Sequence, residues 1–128
     1  MESYNSDDIL FIEILLGSLQ SVNKTFGFKT GNVFLRSIAK NINSLLNKND
    51  KMYYMNGGRF GIILSSNNEH GILTKKIQNF KIKKDGKNVN MNLTIAVTQS
   101  KSSKILDESA RLLDKALTSK SKILINIK

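Results

Sequence analysis

The chain has 128 residues and is 40% hydrophobic, which is enough for one globular domain with a buried core over residues 1–128. It contains no cysteine and one histidine, His70, so disulfides and thiolate metal sites are excluded, and zinc sites and Ser-His-Asp hydrolysis are disfavoured. The net charge of +10 is compatible with an anionic partner such as a nucleotide, a nucleic acid or a membrane surface, but lysines that solvate an ordinary surface explain it more simply than a dedicated nucleic-acid patch does.

Two sequence features bear on membranes and nucleic acids. The longest apolar run, ILFIEILLG at 9–17, is too short to span a bilayer, and no signal peptide precedes it. We therefore expect a cytoplasmic location without membrane insertion by this segment, although a parent protein could be anchored in a membrane. The lysine-rich stretch at 75–87 lacks the interleaved aromatic residues that stack on bases, so nucleic acid is not the favoured partner.

The first half of the chain predicts alternating strands and helices. The stretch at 9–16 is apolar on both faces except for Glu13, as in a central strand covered on both sides, and the stretch at 17–28 predicts a short helix. Apolar residues at helical spacing predict a longer helix that begins at Gly31 and ends near 47–50: Phe34, Ile38, Ile42 and Leu45.

The centre of the chain predicts a β-hairpin. Asn56-Gly57-Gly58 lies between two apolar runs, KMYYM and RFGIILSS. An Asn-Gly or Gly-Gly pair in that setting is the strongest short-range hairpin signal that a sequence offers.

The second half continues the alternation. The stretch at 69–80 predicts a weaker amphipathic helix, and FKIKK and VNMNLTIAV predict a second hairpin across DGKN. A last strand is predicted at KILINI, and a last helix before it by the apolar residues Leu106, Ala110, Leu113 and Leu117. This order of elements indicates an α+β fold in which helices flank one central, mainly antiparallel sheet.

Several motifs resemble the GGDEF domains, the family of the diguanylate cyclases. VNKTFGFKTGNVFLRSIAKNI at 22–42 is similar to the family's INDxxGHxxGDxxLxxxAxxL, and the strand before it lies where the family has DxDxFK. Counting on from Asn23 without a gap places NGGRF at 56–60 on the GGDEF signature. LTIAV and DKALTSK resemble LTVSIGV and ADxALYxAK, so the resemblance covers about 9–127 and implies a nucleotidyl-cyclase-like fold.

The resemblance implies that the acids which bind magnesium in an active cyclase are missing. Their positions, late on the first strand and third in the signature, hold Leu15 and Gly58; aligning the literal glycines instead gives Arg59 and Phe60. Magnesium prefers carboxylate and phosphate oxygens, so no metal and no catalytic residue is expected. Glu13 lies on the same strand face as Leu15 and is an alternative ligand, or else it pairs with Arg59 or a lysine across the sheet.

The positions that contact guanine in the family are better kept. Asn23 matches the Asn of IND and Asn32 replaces the Asp of GD, so both can hydrogen-bond a base edge. Asn32 is alternatively interpreted as a helix cap, because Asn is a preferred residue at a helix start. Phosphate would be held by Arg59 or by turn amides near Gly57 and Gly58. No cofactor is expected, and if the domain binds a nucleotide, a purine nucleotide is the expected ligand. Arg59 is alternatively a contact for an acidic partner or an ordinary exposed hairpin residue.

The family's inhibitory product site, RxxD, falls on NKND at 47–50. Asp50 remains, but Asn47 replaces the arginine, which removes both a bidentate donor and a stacking plane, and Lys48 is a weak substitute. Lys120 and Lys122 lie roughly where the family contacts phosphates.

The resemblance therefore implies a pseudoenzyme. We expect a catalytically inactive GGDEF-like domain that acts as a regulatory, protein-interaction or nucleotide-sensing module in bacterial signalling. Its partners would be other domains of a larger signalling protein, a separate protein or a second copy. Two alternatives stay open: a weak GTP or ATP hydrolase, and a nucleic-acid-binding domain driven by charge, which a steep salt dependence would identify.

Overall fold

The computed structural model describes residues 8–17, 28–55, 57–65, 69–84, 86–90 and 93–127. The short helix predicted at 17–28 lies almost entirely outside these residues, as do Asn23 and Asn56. None of the helices within the described ranges combines the length and hydropathy that crossing a bilayer requires.

The described residues alternate between strands and helices in an order close to the predicted one. The elements are β1 (Asp8–Leu16), α1 (Phe28–Leu45), β2 (Lys51–Tyr54), β3 (Arg59–Leu64), α2 (His70–Gln78), β4 (Lys81–Lys84), β5 (Lys87–Asn90), β6 (Leu93–Lys101), α3 (Ile105–Leu117) and β7 (Ile123–Asn126).

Five of the strands form one central sheet in the order β2-β3-β1-β6-β7. The pairs β2–β3, β3–β1 and β1–β6 are antiparallel, whereas β6 and β7 are parallel because α3 connects them as a crossover. The sheet is thus mixed but mainly antiparallel, which confirms the predicted α+β class, and β2 and β3 confirm the central hairpin.

The second predicted hairpin is correct only in its first half. β4 and β5 pair across the turn at Gly86 and form a separate two-stranded sheet. The LTIAV segment was wrongly assigned to that hairpin. It belongs to β6, which pairs with β1 along its whole length. Residues 93–98 are all buried, which requires a central strand covered on both faces rather than one arm of a peripheral hairpin.

One face of the sheet carries the main core. Ile12, Ile14 and Leu16 alternate along β1 and point to this face, where they pack against α1 and α2. The helices contribute side chains at helical spacing, which confirms the stripe predicted for α1: Phe34, Ile38 and Ile42 from α1, and Leu73 and Ile77 from α2.

The other face of the sheet is covered by α3, which confirms the last predicted helix, although only Leu113 of the four apolar residues that predicted it is buried. Leu106 is 58% exposed, and Ala110 and Leu117 are exposed as well. The buried face of α3 consists instead of Ile105, Ser109, Leu113 and Ala116. Hydrophobic periodicity missed this face because one of its members, Ser109, is polar and contacts a charged residue of β1.

Candidate functional site

The two positions predicted to have lost their metal-binding acids lie side by side. Leu15 pairs with Arg59 in the register of β1 and β3. The next backbone N–H, that of Leu16, donates to the Gly58 carbonyl over 2.8 Å. The antiparallel pairing therefore joins the end of β1 to the β2–β3 turn, at a point where neither side chain provides an oxygen atom.

The β2–β3 turn is built on two glycines in left-handed backbone conformations. Gly57 and Gly58 have φ angles of 66° and 78°, which residues with a Cβ atom adopt only at a cost. The Gly58 N–H donates to the hydroxyl of Tyr54 over 3.3 Å, and the Met55 N–H donates to the Arg59 carbonyl over 2.8 Å. A phosphate bound at the Gly58 amide would have to replace the tyrosine hydroxyl.

A partly buried ion pair adjoins this turn, because Arg59 directly follows Gly58 in the chain. The Arg59 guanidinium lies 3.1 Å from one carboxylate oxygen of Glu13, and the Ser109 hydroxyl donates to the other over 2.7 Å. The Glu13 side chain is 1% exposed, whereas that of Arg59 is 40% exposed. The predicted ion pair between Glu13 and Arg59 is confirmed, and the contact with Ser109 ties the same carboxylate to α3.

These residues do not fit a magnesium site. Both oxygens of Glu13 already have partners, and the neighbouring Leu15 and Gly58 offer no side-chain ligand. Within the described ranges, no three histidine, aspartate or glutamate side chains group closely enough to hold a metal ion. A positive charge, that of Arg59, already compensates the one carboxylate present.

The residue of α1 that is predicted to contact a base lines an open concavity. Asn32 is exposed and lines a hollow of about 390 Å³ together with Arg36, Tyr54 and Phe60. Because α1 begins at Phe28, Asn32 lies inside the helix, and its interpretation as a helix cap was wrong. Asn23 is outside the described residues, so its role stays a prediction.

At the position of the predicted inhibitory site, Asp50 stabilises a loop. Asp50 is buried, and its carboxylate accepts hydrogen bonds from the backbone N–H groups of Asn47 and Ser65, over 2.8 and 2.6 Å. These bonds fasten the loop after α1 to the end of β3. Asn47 and Lys48 are exposed on that loop.

The lysines expected near phosphates lie at the end of α3. Lys122 adopts a left-handed backbone with φ of 60°, and its ammonium donates to the Leu117 carbonyl. Its own carbonyl accepts the Ile95 N–H over 2.8 Å, which starts the pairing of β7 with β6. Lys122 thus closes the helix and directs the chain into β7, and Lys120 is exposed on the same loop.

Sequence reasoning missed several residues that shape this region. Ser109 carried a detectable signal, since it stands in an otherwise apolar helix face opposite a strand with one lone acid. Gly61 carried a weaker signal. A glycine is needed there because the ring of Phe11, on the neighbouring strand β1, occupies the space that a Cβ atom would fill. Arg36 and Tyr54 line the concavity together only because the fold brings β2 against α1.

A comparison with family models identifies residues 2–123 with the family described as diguanylate cyclase, GGDEF domain. No curated protein matches the chain significantly. Many solved structures do match it.

Three solved structures illustrate the likeness. The GGDEF domain of YfiN from Pseudomonas aeruginosa has a TM-score of 0.80 at 17% identity, over 95% of this chain and 84% of that one. Diguanylate cyclase SiaD from the same organism, in complex with its activator SiaC, has a TM-score of 0.78 at 17% identity. LapD from Vibrio cholerae, an S helix-GGDEF-EAL protein bound to c-di-GMP, has a TM-score of 0.74 at 17% identity.

The likeness covers different shares of these proteins. The SiaD match includes 97% of this chain but 52% of SiaD, so the chain spans about half of its length. The LapD match includes 95% of this chain and 31% of LapD. At these identities the shared property is the fold.

Proposed function

The chain belongs to the GGDEF domain family, and we propose that it is a member without diguanylate cyclase activity. In this role it is a regulatory, protein-interaction or nucleotide-sensing module of bacterial signalling that acts in the cytoplasm. One observation carries the proposal. The two positions where the resemblance implies metal-binding acids hold Leu15 and Gly58, and they adjoin the ion pair of Glu13 and Arg59.

The loss of both acidic positions matters because of the chemistry that joins two nucleoside triphosphates. A divalent ion lowers the pKa of the attacking hydroxyl and neutralises triphosphate charge, which contributes several kcal/mol to the transition state. Arg59 does not replace that ion, because its charge is already paired with the buried Glu13 carboxylate. The described residues of this site therefore provide neither a side-chain ligand set for a metal ion nor an unpaired positive charge.

A role in protein interaction is supported by the exposed edge of the sheet. Tyr53 and Tyr54 are 48% and 52% exposed on β2, the edge strand next to β3. Exposed aromatic side chains on an unpaired strand edge are typical of surfaces that bind other chains. We propose that the partner is another domain of a longer signalling protein, a separate protein or a second copy.

A role in nucleotide sensing is supported by Asn32 at the concavity between α1 and β2. Its amide can hydrogen-bond a purine edge, with Asn23 as a second contact. Arg59, Gly57 and Gly58 remain the phosphate contacts that the resemblance implies. Binding there would be weak and nearly independent of metal ions, because none of the described residues provides a free carboxylate there to hold magnesium against the phosphates.

Incubation of the purified protein with GTP and magnesium or manganese should yield no cyclic di-GMP. The protein should be concentrated enough for two copies to meet, and the nucleotides should be separated and identified by mass spectrometry. The expected product level equals that of a Glu13→Ala control, because neither protein can bind the metal ions. Cyclic di-GMP above the control would refute the proposal, and release of GDP and phosphate would identify a weak hydrolase instead.

Cyclic di-GMP should leave no binding footprint on the loop at 47–50. Asn47 provides neither the charged fork nor the stacking plane of arginine, and the Asp50 carboxylate is held by two backbone amides. The measurement is a titration followed by amide chemical shifts. Shift changes centred on Asp50 that saturate with ligand would contradict the prediction.

A further inference from the structure

β2 is an edge strand, and part of its backbone has no hydrogen-bond partner among the described residues. The central sheet ends at β2, which pairs with β3 on one side. Met55 is bonded to Arg59 at the turn, and hydrogen-bonded pairs alternate with non-bonded pairs along an antiparallel register. The N–H and C=O groups of Met52 and Tyr54 therefore point to the open side of β2. They offer two donors and two acceptors to an added strand.

On the α3 face of the sheet, β2 borders an apolar hollow. Tyr53 and Met55 line this hollow of about 340 Å³ together with Leu106. Apart from Ser102, the residues that line it are hydrophobic. Tyr53 and Leu106 are 48% and 58% exposed, so the hollow opens to solvent at the edge of the sheet. Alternate side chains of a strand added to β2 would lie beside Tyr53, where apolar side chains would be removed from water.

On the α1 face of the sheet, β2 borders a cationic hollow. Met52 lines this hollow of about 680 Å³ together with Arg36 and Lys40, which are exposed. No carboxylate of the described residues forms an ion pair with either cation. The other alternate side chains of an added strand would lie on this face, and carboxylates among them would gain charge-assisted hydrogen bonds.

The charges around β2 favour an acidic partner over a second copy of this chain. Residues 28–65 contain six lysine and arginine residues but one acidic residue, Asp50. Asp50 is buried, and two backbone N–H groups donate to its carboxylate. Lys48 and Lys51 are exposed at the start of β2. Pairing β2 with the β2 of a second copy would bring like charges together, whereas an acidic segment would be attracted.

We propose that β2 binds an extended acidic segment of a partner protein, which adds to the central sheet as a sixth, antiparallel strand. The acidic residues of this segment lie opposite Met52 and Tyr54 and point to the cations of the α1 face. Apolar residues alternate with them, lie opposite Tyr53 and point to the hollow of the α3 face. Backbone hydrogen bonds hold such a strand, and its alternate side chains give specificity. The inference rests on the proposed interaction role and specifies the chemistry of its partner.

Calorimetric titration with a capped octapeptide that alternates valine and glutamate tests this assignment. Two further octapeptides are compared with it: one alternates valine and lysine, and the other has the same valines and glutamates in two separate blocks. The alternating acidic peptide should bind, and the other two should bind more weakly by about tenfold or more. The lysine peptide carries the wrong charge, and the block peptide cannot separate its side chains onto two faces. A block peptide that binds as tightly as the alternating one would overturn strand addition.

Charge reversal on α1 tests the role of its cations. Arg36→Glu combined with Lys40→Glu should weaken binding of the acidic peptide by about tenfold or more and make the lysine peptide the tighter ligand. Arg111→Glu combined with Lys115→Glu is the matched control, because these residues have the same spacing and are exposed on α3. Circular dichroism checks that both variants are folded. Equal effects of the two double variants on peptide binding would overturn the assignment.

N-methylated peptides test the backbone pairing without altering the protein. Methyl groups on the glutamate amides remove the N–H groups that face β2 and should abolish binding, whereas methyl groups on the valine amides should leave it nearly unchanged. With the unmethylated acidic peptide, amide chemical shifts should change most at Met52 and Tyr54. Changes centred on α2 or α3, or no binding at millimolar peptide, would overturn the site. None of these outcomes bears on cyclase activity, which the incubation with GTP decides separately.

Discussion

Arg59→Ala should lower the free energy of unfolding by about 2 kcal/mol. Removing one partner of a buried ion pair costs about 3–5 kcal/mol, because the other charge stays buried without compensation. The lower value is expected here because the side chain of Arg59 is 40% exposed, so water can reach part of the space that it leaves. Chemical denaturation followed by circular dichroism measures the effect.

A double variant separates the charge effect from lost packing. Glu13→Gln removes the negative charge but keeps an oxygen that can accept the hydrogen bond from Ser109. The pair Glu13→Gln with Arg59→Ala should therefore be more stable than Arg59→Ala alone. An Arg59→Ala protein within about 0.5 kcal/mol of the parent would show that the ion pair does not stabilise the fold.

Gly61→Ala should destabilise the protein by about 2–3 kcal/mol. A Cβ atom at Gly61 would lie 2.6 Å from the ring of Phe11 and 2.8 Å from the sulfur of Met55. The long side chain of Met55 can turn aside, but the buried ring of Phe11 has to shift toward the hollow that it lines with Ile105 and Leu106. Extra volume in a filled interior typically costs about 1–3 kcal/mol.

Two further variants make this prediction specific. Phe11→Leu shortens the side chain that causes the clash, so the double variant with Gly61→Ala should be less destabilised than the sum of the single changes. Gly71→Ala is the control, because its Cβ atom would meet nothing closer than 3.9 Å in α2. That change should stabilise the helix by up to about 1 kcal/mol. Equal effects at Gly61 and Gly71 would contradict the close approach of Phe11.

Local patterns predicted most of the elements because they reflect local physics. Apolar residues at helical spacing identified the buried face of α1, and the Asn-Gly-Gly turn identified the hairpin of β2 and β3. Glu13, the one acid in an otherwise apolar stretch, allowed its ion-pair partner to be predicted. A buried Glu13 requires a compensating cation, and Arg59 lay on the neighbouring strand.

Long-range contacts account for what the sequence left undetermined. The polar Ser109 is buried because it bonds to Glu13, 96 residues away in the chain, so the apolar residues of α3 did not identify its buried face. The division of residues 87–101 into two strands follows from the pairing of β6 with β1, which no local pattern encodes. Asp50 looked like a remnant of a ligand site, and its bond to Ser65 became visible only with the fold.

The central claim is that the cation of this site is the Arg59 guanidinium rather than a divalent metal ion. The most direct measurement is a titration of the isotope-labelled protein with Mn²⁺ alone, followed by the paramagnetic broadening of its amide signals. The account predicts no selective broadening at Leu15 and Gly58, because both oxygens of Glu13 are already hydrogen-bonded and neither Leu15 nor Gly58 has a side-chain oxygen. Selective broadening of these two amides that Glu13→Gln abolishes would contradict it, since it would show a metal ion bound to that carboxylate.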